Sequence, residues 1–289
     1  MQKSLIYKTL VCNGEISLAV LDTTALVNEV IKRHRLTPVT AAAMGRTMTA
    51  TAYLCSWLKA EESTLHVTIS GDGAGGKISV SGNGALHLRG NIENPNIDLS
   101  PRADGKLDVG SCVGRVGTIT VVRDDGEGVP FVGTSELVSG EIAEDFSAYF
   151  LTSEQRPTAI ALGVYIAPDG HCIGAGGVFL QPLPGASEEA ICYAEERIAK
   201  FGRISSIISE KGAEGILKEY FDTEATDKRE IFFRCRCNRK RAASAVLSMG
   251  EADARALLKE YGEVNVHCPD CNTDYVFKEE EIAELFRRA

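Results

Sequence analysis

Four cysteines near the C-terminus constrain the fold of this 289-residue chain more than any other feature. They form two pairs, Cys235-Arg-Cys237 and Cys268-Pro-Asp-Cys271, separated by thirty residues. A tetrahedral zinc site has metal–sulfur bonds of about 2.3 Å and sulfurs about 3.8 Å apart, so each half must present two neighbouring thiolates. A two-residue spacer is typical of a zinc knuckle, and alternate residues of an extended segment share a face. The spacing therefore predicts a zinc site, because four unrelated core cysteines would not need two tight pairs.

Composition and charge favour a soluble globular protein. Hydrophobic residues make up 44% of the chain and charged residues 25%, which is ordinary for that class. The N-terminal residues lack an apolar signal core and no stretch approaches the roughly 18 apolar residues of a membrane span. We therefore expect a cytoplasmic protein without a membrane partner. A net charge of −9 also argues against a specific nucleic-acid partner.

The five remaining cysteines stand alone in mostly apolar segments. In a reducing compartment structural disulfides are not expected. Each is therefore predicted to be a small buried hydrophobic residue. They are Cys12, Cys55, Cys112, Cys172 and Cys192.

Hydrophobic patterning predicts an α+β domain over residues 1–180. The dipeptide Asn13-Gly14 predicts a hairpin between two strands. Helices are predicted to begin at Thr23 or Thr24 and at Thr37, and the second, rich in alanine, is expected to be buried. Further strands are predicted at 65–70, 77–81, 85–89, 118–123, 130–134, 159–166 and 176–180. Hairpin connections dominate, so we expect an antiparallel sheet with a buried helix rather than a doubly wound sheet.

The composition changes at residues 181–185, where proline and glycine accumulate. Helical patterns follow at 187–200, 203–210 and 213–221, and the charged residues 222–230 read as a connecting segment. We therefore predict a helical middle linker over 181–230 and a small zinc-binding α+β domain over 231–289. Within that domain, helices are predicted at 241–250, 251–261 and 279–287, and strands at 264–266 and 275–277. About sixty residues have little core, so zinc should hold this domain together.

Three motifs resemble known functional sites but have structural explanations. The glycine run 71–76 matches a dinucleotide fingerprint, yet a strand follows where the fingerprint needs a helix, so a glycine hairpin is predicted. Residues 110–114 resemble a nucleophile elbow around Cys112 but also lead into a strand. The acidic residues 124–127 lack the alternate ligands of a calcium loop and predict a solvated turn. No catalytic residue or organic cofactor is predicted, and an enzyme with a structural zinc ranks last among the alternatives.

The cysteine arrangement and its flanking residues resemble the Hsp33 family of redox-regulated chaperones. Matching segments in the expected order are Gly45-Arg-Thr-Met-Thr-Ala50, Gly105-Lys-Leu-Asp-Val109, Thr152-Ser-Glu-Gln155, Ala175-Gly-Gly-Val-Phe-Leu180 and His267-Cys-Pro-Asp-Cys-Asn-Thr-Asp-Tyr-Val-Phe277. The resemblance implies a client-binding core at 1–180, the helical linker and a redox switch at 231–289.

The resemblance also implies how such a switch would work. Cys235, Cys237, Cys268 and Cys271 would bind one Zn²⁺ per chain in a reduced, inactive state. Oxidation would form Cys235–Cys237 and Cys268–Cys271 disulfides, release zinc, unfold the linker and expose hydrophobic surface that prevents aggregation of unfolded client proteins. A homodimer is implied for the oxidised form.

A zinc-ribbon module that binds nucleic acid, with a purely structural metal, is the alternative interpretation. It would use the basic residues at 234–241, but the acidic C-terminal helix and net charge disfavour it. These basic residues also flank the first cysteine pair, where they would bear on how readily the switch is oxidised. They are Arg234, Arg236, Arg239, Lys240 and Arg241.

Overall fold

The computed structural model describes residues 3–288. These form two compact units, the first ending at Arg234 and the second beginning at Cys235. Strands of the first unit are β1 Ser4–Val11, β2 Ile16–Asp22, β3 Thr64–Gly71, β4 Ile78–Asn83, β5 His87–Ile92, β6 Gly117–Asp124, β7 Phe131–Glu136, β8 Ala159–Ile166, β9 Cys172–Pro182 and β10 Asp227–Phe233. Its helices are α1 Thr24–His34, α2 Pro38–Cys55, α3 Val109–Val113, α4 Ala143–Thr152, α5 Glu188–Ile198 and α6 Ile204–Phe221.

The strands form one mixed sheet in the order β7-β6-β3-β4-β5-β10-β1-β2-β9-β8. Neighbours are antiparallel except β5 and β10, which run parallel. The predicted hairpin around Asn13-Gly14 is confirmed, with both residues at positive φ between β1 and β2. The α+β class and the predominance of antiparallel pairing are therefore confirmed.

Helix α2 lies at the centre of the first unit, as predicted. Sixteen of its eighteen residues are buried, because alanines and a glycine let neighbouring elements approach closely. Its buried threonines return their hydroxyls to the helix: Thr47, Thr49 and Thr51 donate to carbonyls four residues earlier at 2.8–2.9 Å. The predicted cap Thr37 instead donates its hydroxyl to the Ile97 carbonyl at 2.5 Å.

The other face of the sheet carries a second apolar cluster. Residues such as Leu18, Val20 and Leu180 pack there against α5 and α6. Helix α6 lies so close to β9 that a Cβ added to Gly174 would stand 2.2 Å from the Ser205 carbonyl oxygen. Gly212, at φ 65°, interrupts α6 between the two helices predicted there. The helices thus cover apolar sheet surface that would otherwise face water.

The prediction that 222–230 is a connecting segment is wrong in its second half. Residues 227–233 form β10, and the second unit begins at Cys235, four residues beyond the predicted boundary. Lys228 and Glu230 remain on one face of the strand, and Ile231 is buried on the other. The strand therefore tolerates charge because only alternate positions face the core.

Two helices were absent from the prediction for residues 105–152. Helix α3 is capped by Asp108, which accepts the Ser111 amide at 3.1 Å. The N-terminal end of helix α4 is stabilised by the buried carboxylate of Asp145, which accepts hydrogen bonds from four backbone amides at 2.7–3.2 Å. Both depend on local caps rather than on a long apolar period.

The glycine run 71–76 is confirmed as the turn between β3 and β4. Its Gly73 and Gly75 amides donate to the Val113 and Cys112 carbonyls at 3.0 and 2.8 Å, which satisfies the end of α3. A Cβ at position 71 would stand 2.0 Å from the Val113 carbonyl oxygen. The absence of a side chain there therefore lets the end of β3 pack closely against the end of α3. The acidic segment after β6 is a turn in which Asp124 accepts the Gly126 amide at 2.8 Å.

The second unit follows the predicted order of elements. It contains α7 Arg239–Met249, α8 Glu251–Tyr261, β11 Val264–Cys268, β12 Thr273–Phe277 and α9 Glu279–Arg288. Its core contains six buried apolar residues from the described part of the chain: Ala242, Val246, Ala254, Val264, Phe277 and Ile282. Tyr261, the last residue of α8, lies outside this core and is 66% exposed. Across residues 3–288, no helix has the length and apolarity needed to cross a membrane.

Candidate metal centre

The first cysteine pair lies in residues 234–238, a segment without regular secondary structure between β10 and α7. Asn238 begins that helix by accepting the Arg241 amide at 2.9 Å, so the chain turns immediately after the pair. The second pair lies in the β11–β12 hairpin, whose last paired residues are Cys268 and Thr273. Cys271 falls within the tight turn between them, next to Asn272 at positive φ.

The structure brings the four predicted sulfurs together. All four Sγ atoms lie within 4.8 Å of one another. The Cys235 and Cys268 sulfurs are 3.6 Å apart, and those of Cys237 and Cys271 are 3.3 Å apart. These separations are close to the roughly 3.8 Å between thiolates of a tetrahedral zinc site. Four soft donors of this kind suit Zn²⁺ and could hold it in a closed, structural arrangement.

Hydroxyl and amide groups adjoin the sulfurs. The Tyr275 hydroxyl lies 3.2 Å from Cys237 Sγ, and the Thr273 hydroxyl lies 3.2 Å from Cys271 Sγ. The Cys237 amide donates to Cys235 Sγ at 3.5 Å. The sulfurs therefore sit in a partly polar pocket, with Cys271 buried and the other three half-buried.

The metal-free thiols differ in acidity. Burial raises the pKa of Cys235 well above its usual range, and burial with the Cys271 thiol raises the pKa of Cys268 to about 11. Burial acts in the same direction on Cys237, but hydrogen bonds from Tyr275 and the other thiols outweigh it and lower its pKa to about 7. Cys237 is therefore more acidic than Cys235 and Cys268, and a bound cation would favour ionisation of the whole set.

Two of the basic residues beside the first cysteine pair make contacts within the second unit. Arg239 pairs with Glu281 at 2.5 Å, donates to the Val276 carbonyl at 2.9 Å and stacks on the Phe277 ring. Arg241 donates to the Arg236 carbonyl at 3.1 Å. These two arginines thus stabilise the unit around the cysteines.

Sequence reasoning assigned no role to Thr273 and Tyr275. A usable signal was present, because alternate residues of a strand share a face and both follow Cys271 at such positions. Their approach to two different sulfurs depends on the pairing of β11 with β12, which spacing alone does not specify.

The isolated cysteines are only partly as predicted. Cys55, Cys112 and Cys172 are buried, whereas Cys12 is half-buried and Cys192 is exposed. Cys192 lies on α5, whose sequence is apolar at too few positions to bury that face. Burial raises the pKa of Cys112 to about 11, which makes its thiol a poor nucleophile.

Known proteins resemble the whole chain. A family model described as Hsp33 protein matches residues 4–278. A 33 kDa chaperonin of Bacillus cytotoxicus is 38% identical over 288 residues, covering 98% of each chain, and that of Bacillus pumilus is 38% identical over 282 residues, covering 96% of each. The crystal structure of a 33 kDa chaperonin (heat shock protein 33 homolog) from Thermotoga maritima matches with a TM-score of 0.91 and 32% identity over 99% of both chains. The chain therefore belongs to the Hsp33 family.

Proposed function

We propose that this protein is a redox-regulated holdase chaperone whose four C-terminal cysteines form the switch. In the reduced form Cys235, Cys237, Cys268 and Cys271 bind one zinc ion, and the protein is inactive. Oxidation converts the cysteines to Cys235–Cys237 and Cys268–Cys271 disulfides and releases the metal. Partners are unfolded client proteins, the active form is a homodimer, and the reducing cytoplasm is the compartment in which the cluster would stay reduced.

The observation that carries this proposal is the convergence of four sulfurs within 4.8 Å in a unit with a small core. When bound, zinc would hold the thiolates and supply folding free energy on the order of 10 kcal/mol, as in small zinc modules. The names of the relatives, 33 kDa chaperonin, support the chaperone class.

The paired spacing also suits oxidation. A thiolate attacks one oxygen of a peroxide, the O–O bond breaks, and hydroxide leaves, which gives a sulfenic acid. The neighbouring thiolate then attacks that sulfur, a sulfur–sulfur bond forms, and a second hydroxide leaves. Each disulfide therefore consumes one peroxide and transfers two electrons. An i to i+2 disulfide between Cys235 and Cys237 must close a very short loop, so we expect it to form second.

Chain continuity offers a route from the switch to the client surface. Cys235 follows the last residue of β10 with only Arg234 between them, and β10 follows α6 after five residues. Loss of zinc would loosen the second unit and free the end of β10. Helices α5 and α6 would then leave the sheet and expose the apolar face that carries Leu18, Val20 and Leu180.

The test is to expose the zinc-loaded protein to hydrogen peroxide under mildly unfolding conditions. Zinc release and suppression of a model client's aggregation are followed in the same sample. Both should rise together, and reduction with zinc present should reverse both. Zinc loss without any gain in holdase activity would leave only a structural metal site.

Hydrogen exchange tests the step between the two events. Exchange across residues 187–230 should increase after oxidation in the wild-type protein. A Cys192→Ser variant is the control and should show the same increase as wild type, because Cys192 is exposed and lies outside the cysteine cluster. Unchanged exchange across 187–230 would contradict the proposed coupling.

A further inference from the structure

The Tyr275 hydroxyl lies beside one of the four clustered sulfurs. It lies on β12 opposite Val266, and its ring packs against the core of the second unit. Both constraints hold the ring while its hydroxyl reaches Cys237 Sγ at 3.2 Å. The contact therefore follows from the fold rather than from a mobile surface side chain.

The hydroxyl can only donate to a metal-bound sulfur. A coordinated cysteine is a thiolate and carries no proton, so the Tyr275 O–H must supply the hydrogen. Hydrogen bonds to ionised acceptors are stronger than those between neutral groups. They also withdraw electron density from the sulfur, which weakens its attack on an oxidant.

Thr273 brings a second hydroxyl close to the other pair, but with the opposite hydrogen-bond direction. Its oxygen accepts from the Cys271 thiol at 3.2 Å, and its own proton is directed to the Cys271 carbonyl oxygen at 3.5 Å. One sulfur of each cysteine pair thus has a hydroxyl neighbour from the same strand.

We propose that Tyr275 is a positioning residue that slows oxidation of the metal-bound cluster by donating a hydrogen bond to Cys237. This inference rests on the proposed function and specifies one determinant of its sensitivity. The sulfur electrons that accept the O–H are those that would attack the peroxide oxygen as the O–O bond breaks and hydroxide leaves.

The test uses the full-length, zinc-loaded protein and the variant Tyr275→Phe, which keeps the ring and removes the hydroxyl. Loss of an outer hydrogen bond to a ligand typically weakens metal affinity about 10- to 100-fold. We expect zinc affinity, measured by competition with a chromogenic chelator, to fall roughly 10-fold. Zinc release by hydrogen peroxide should become several-fold faster. Tyr261→Phe is the matched control, since Tyr261 lies in the same unit and is 66% exposed.

Cobalt substitution gives a readout that a purely structural role would not move. A thiolate without its donor is more electron-rich, so the sulfur-to-cobalt charge-transfer band of Tyr275→Phe should shift to lower energy. Thr273→Val removes a hydroxyl that donates to the Cys271 carbonyl rather than to a sulfur, so its band should stay close to that of wild type. The band is read on the metal-bound fraction of each variant, so it remains measurable if part of a variant folds poorly.

The outcomes separate this inference from the proposed function. If wild-type protein binds zinc and releases it on oxidation, but Tyr275→Phe matches it in band energy and release rate, the inference is overturned and the switch stands. If wild-type protein binds no zinc through its four cysteines, both proposals fall. Faster release with a shifted band in Tyr275→Phe but not in Tyr261→Phe supports the inference.

Discussion

Replacing Gly174 with alanine tests whether α6 restrains the apolar face of the sheet. The added Cβ would stand 2.2 Å from the Ser205 carbonyl oxygen and 2.9 Å from Ser209 Cβ. Both distances are below the 3.0 Å that real Cβ contacts respect. Helix α6 must therefore move away from β9 by at least about 0.8 Å, and a gap of that size forfeits a quarter to a half of each dispersion contact.

Overpacking of this kind costs about 1–3 kcal/mol. If the cost falls on the docked state of α6, the undocked population rises about 5- to 150-fold. Hydrogen exchange in 204–221 should increase by a similar factor in the reduced, zinc-loaded protein. That protein should also suppress client aggregation without an oxidant.

Gly202→Ala is the matched control. Gly202 has φ −58° and nothing within 4 Å of its added Cβ, so the same substitution meets neither strain nor a clash. It should behave as wild type in both assays. Faster exchange in Gly174→Ala without holdase activity would refute the idea that undocking α6 is sufficient, and unchanged exchange would refute the packing argument.

Three further predictions concern buried polar groups. Burial raises the pKa values of Cys112 and Cys172 to about 11. Both thiols should therefore resist iodoacetamide at pH 8 in the folded protein, while Cys192 reacts. Mass spectrometry of labelled peptides checks this, and equal labelling rates at the three cysteines would contradict it. Burial lowers the pKa of Lys8 to about 8 from 10.5, so the unfolded state binds more protons between those values and stability should rise with pH there by up to about 3 kcal/mol. Denaturant unfolding followed by the single tryptophan should show that rise, and Lys8→Met should remove it. Asp145→Asn should cost about 2–4 kcal/mol, because an amide cannot accept all four backbone amides that the carboxylate binds; a loss below 1 kcal/mol in the same assay would show that these bonds matter little.

Local sequence signals predicted the elements whose contacts are also local. The Asn13-Gly14 hairpin and helix α8 follow from turn chemistry and an apolar period, and both are confirmed. Strand β8 matches its predicted range for the same reason. Such segments need little information from distant parts of the chain.

Strand β10 could not be recognised in the same way. Its partners β1 and β5 are far away in sequence, and its first residues, Asp227 and Lys228, are charged. The alternation of Ile231 with Phe233 is too short to distinguish a strand from the end of a connecting segment. Pairing with two distant strands stabilises it instead.

In the candidate metal centre, too, the sequence predicted the features set by local spacing but not those set by strand pairing. Chelation requires neighbouring thiolates, so the spacing predicted which cysteines would converge. The hydroxyls of Thr273 and Tyr275 depend on the β11–β12 register, which pairs Cys268 with Thr273. Sequence spacing therefore predicts which cysteines cluster, whereas the hydroxyls beside their sulfurs require the folded hairpin.

The place of β10 in the sheet makes the proposed route to α6 testable. The strand lies between β5 and β1, paired with five residues of β1 and two of β5, and it separates α6 from Cys235 along the chain. Loosening that travels through the backbone must therefore release β10 before it reaches α6. Oxidation should then increase hydrogen exchange in 227–233 together with 204–221. If β10 stays protected while α6 is exposed, backbone continuity does not carry the signal.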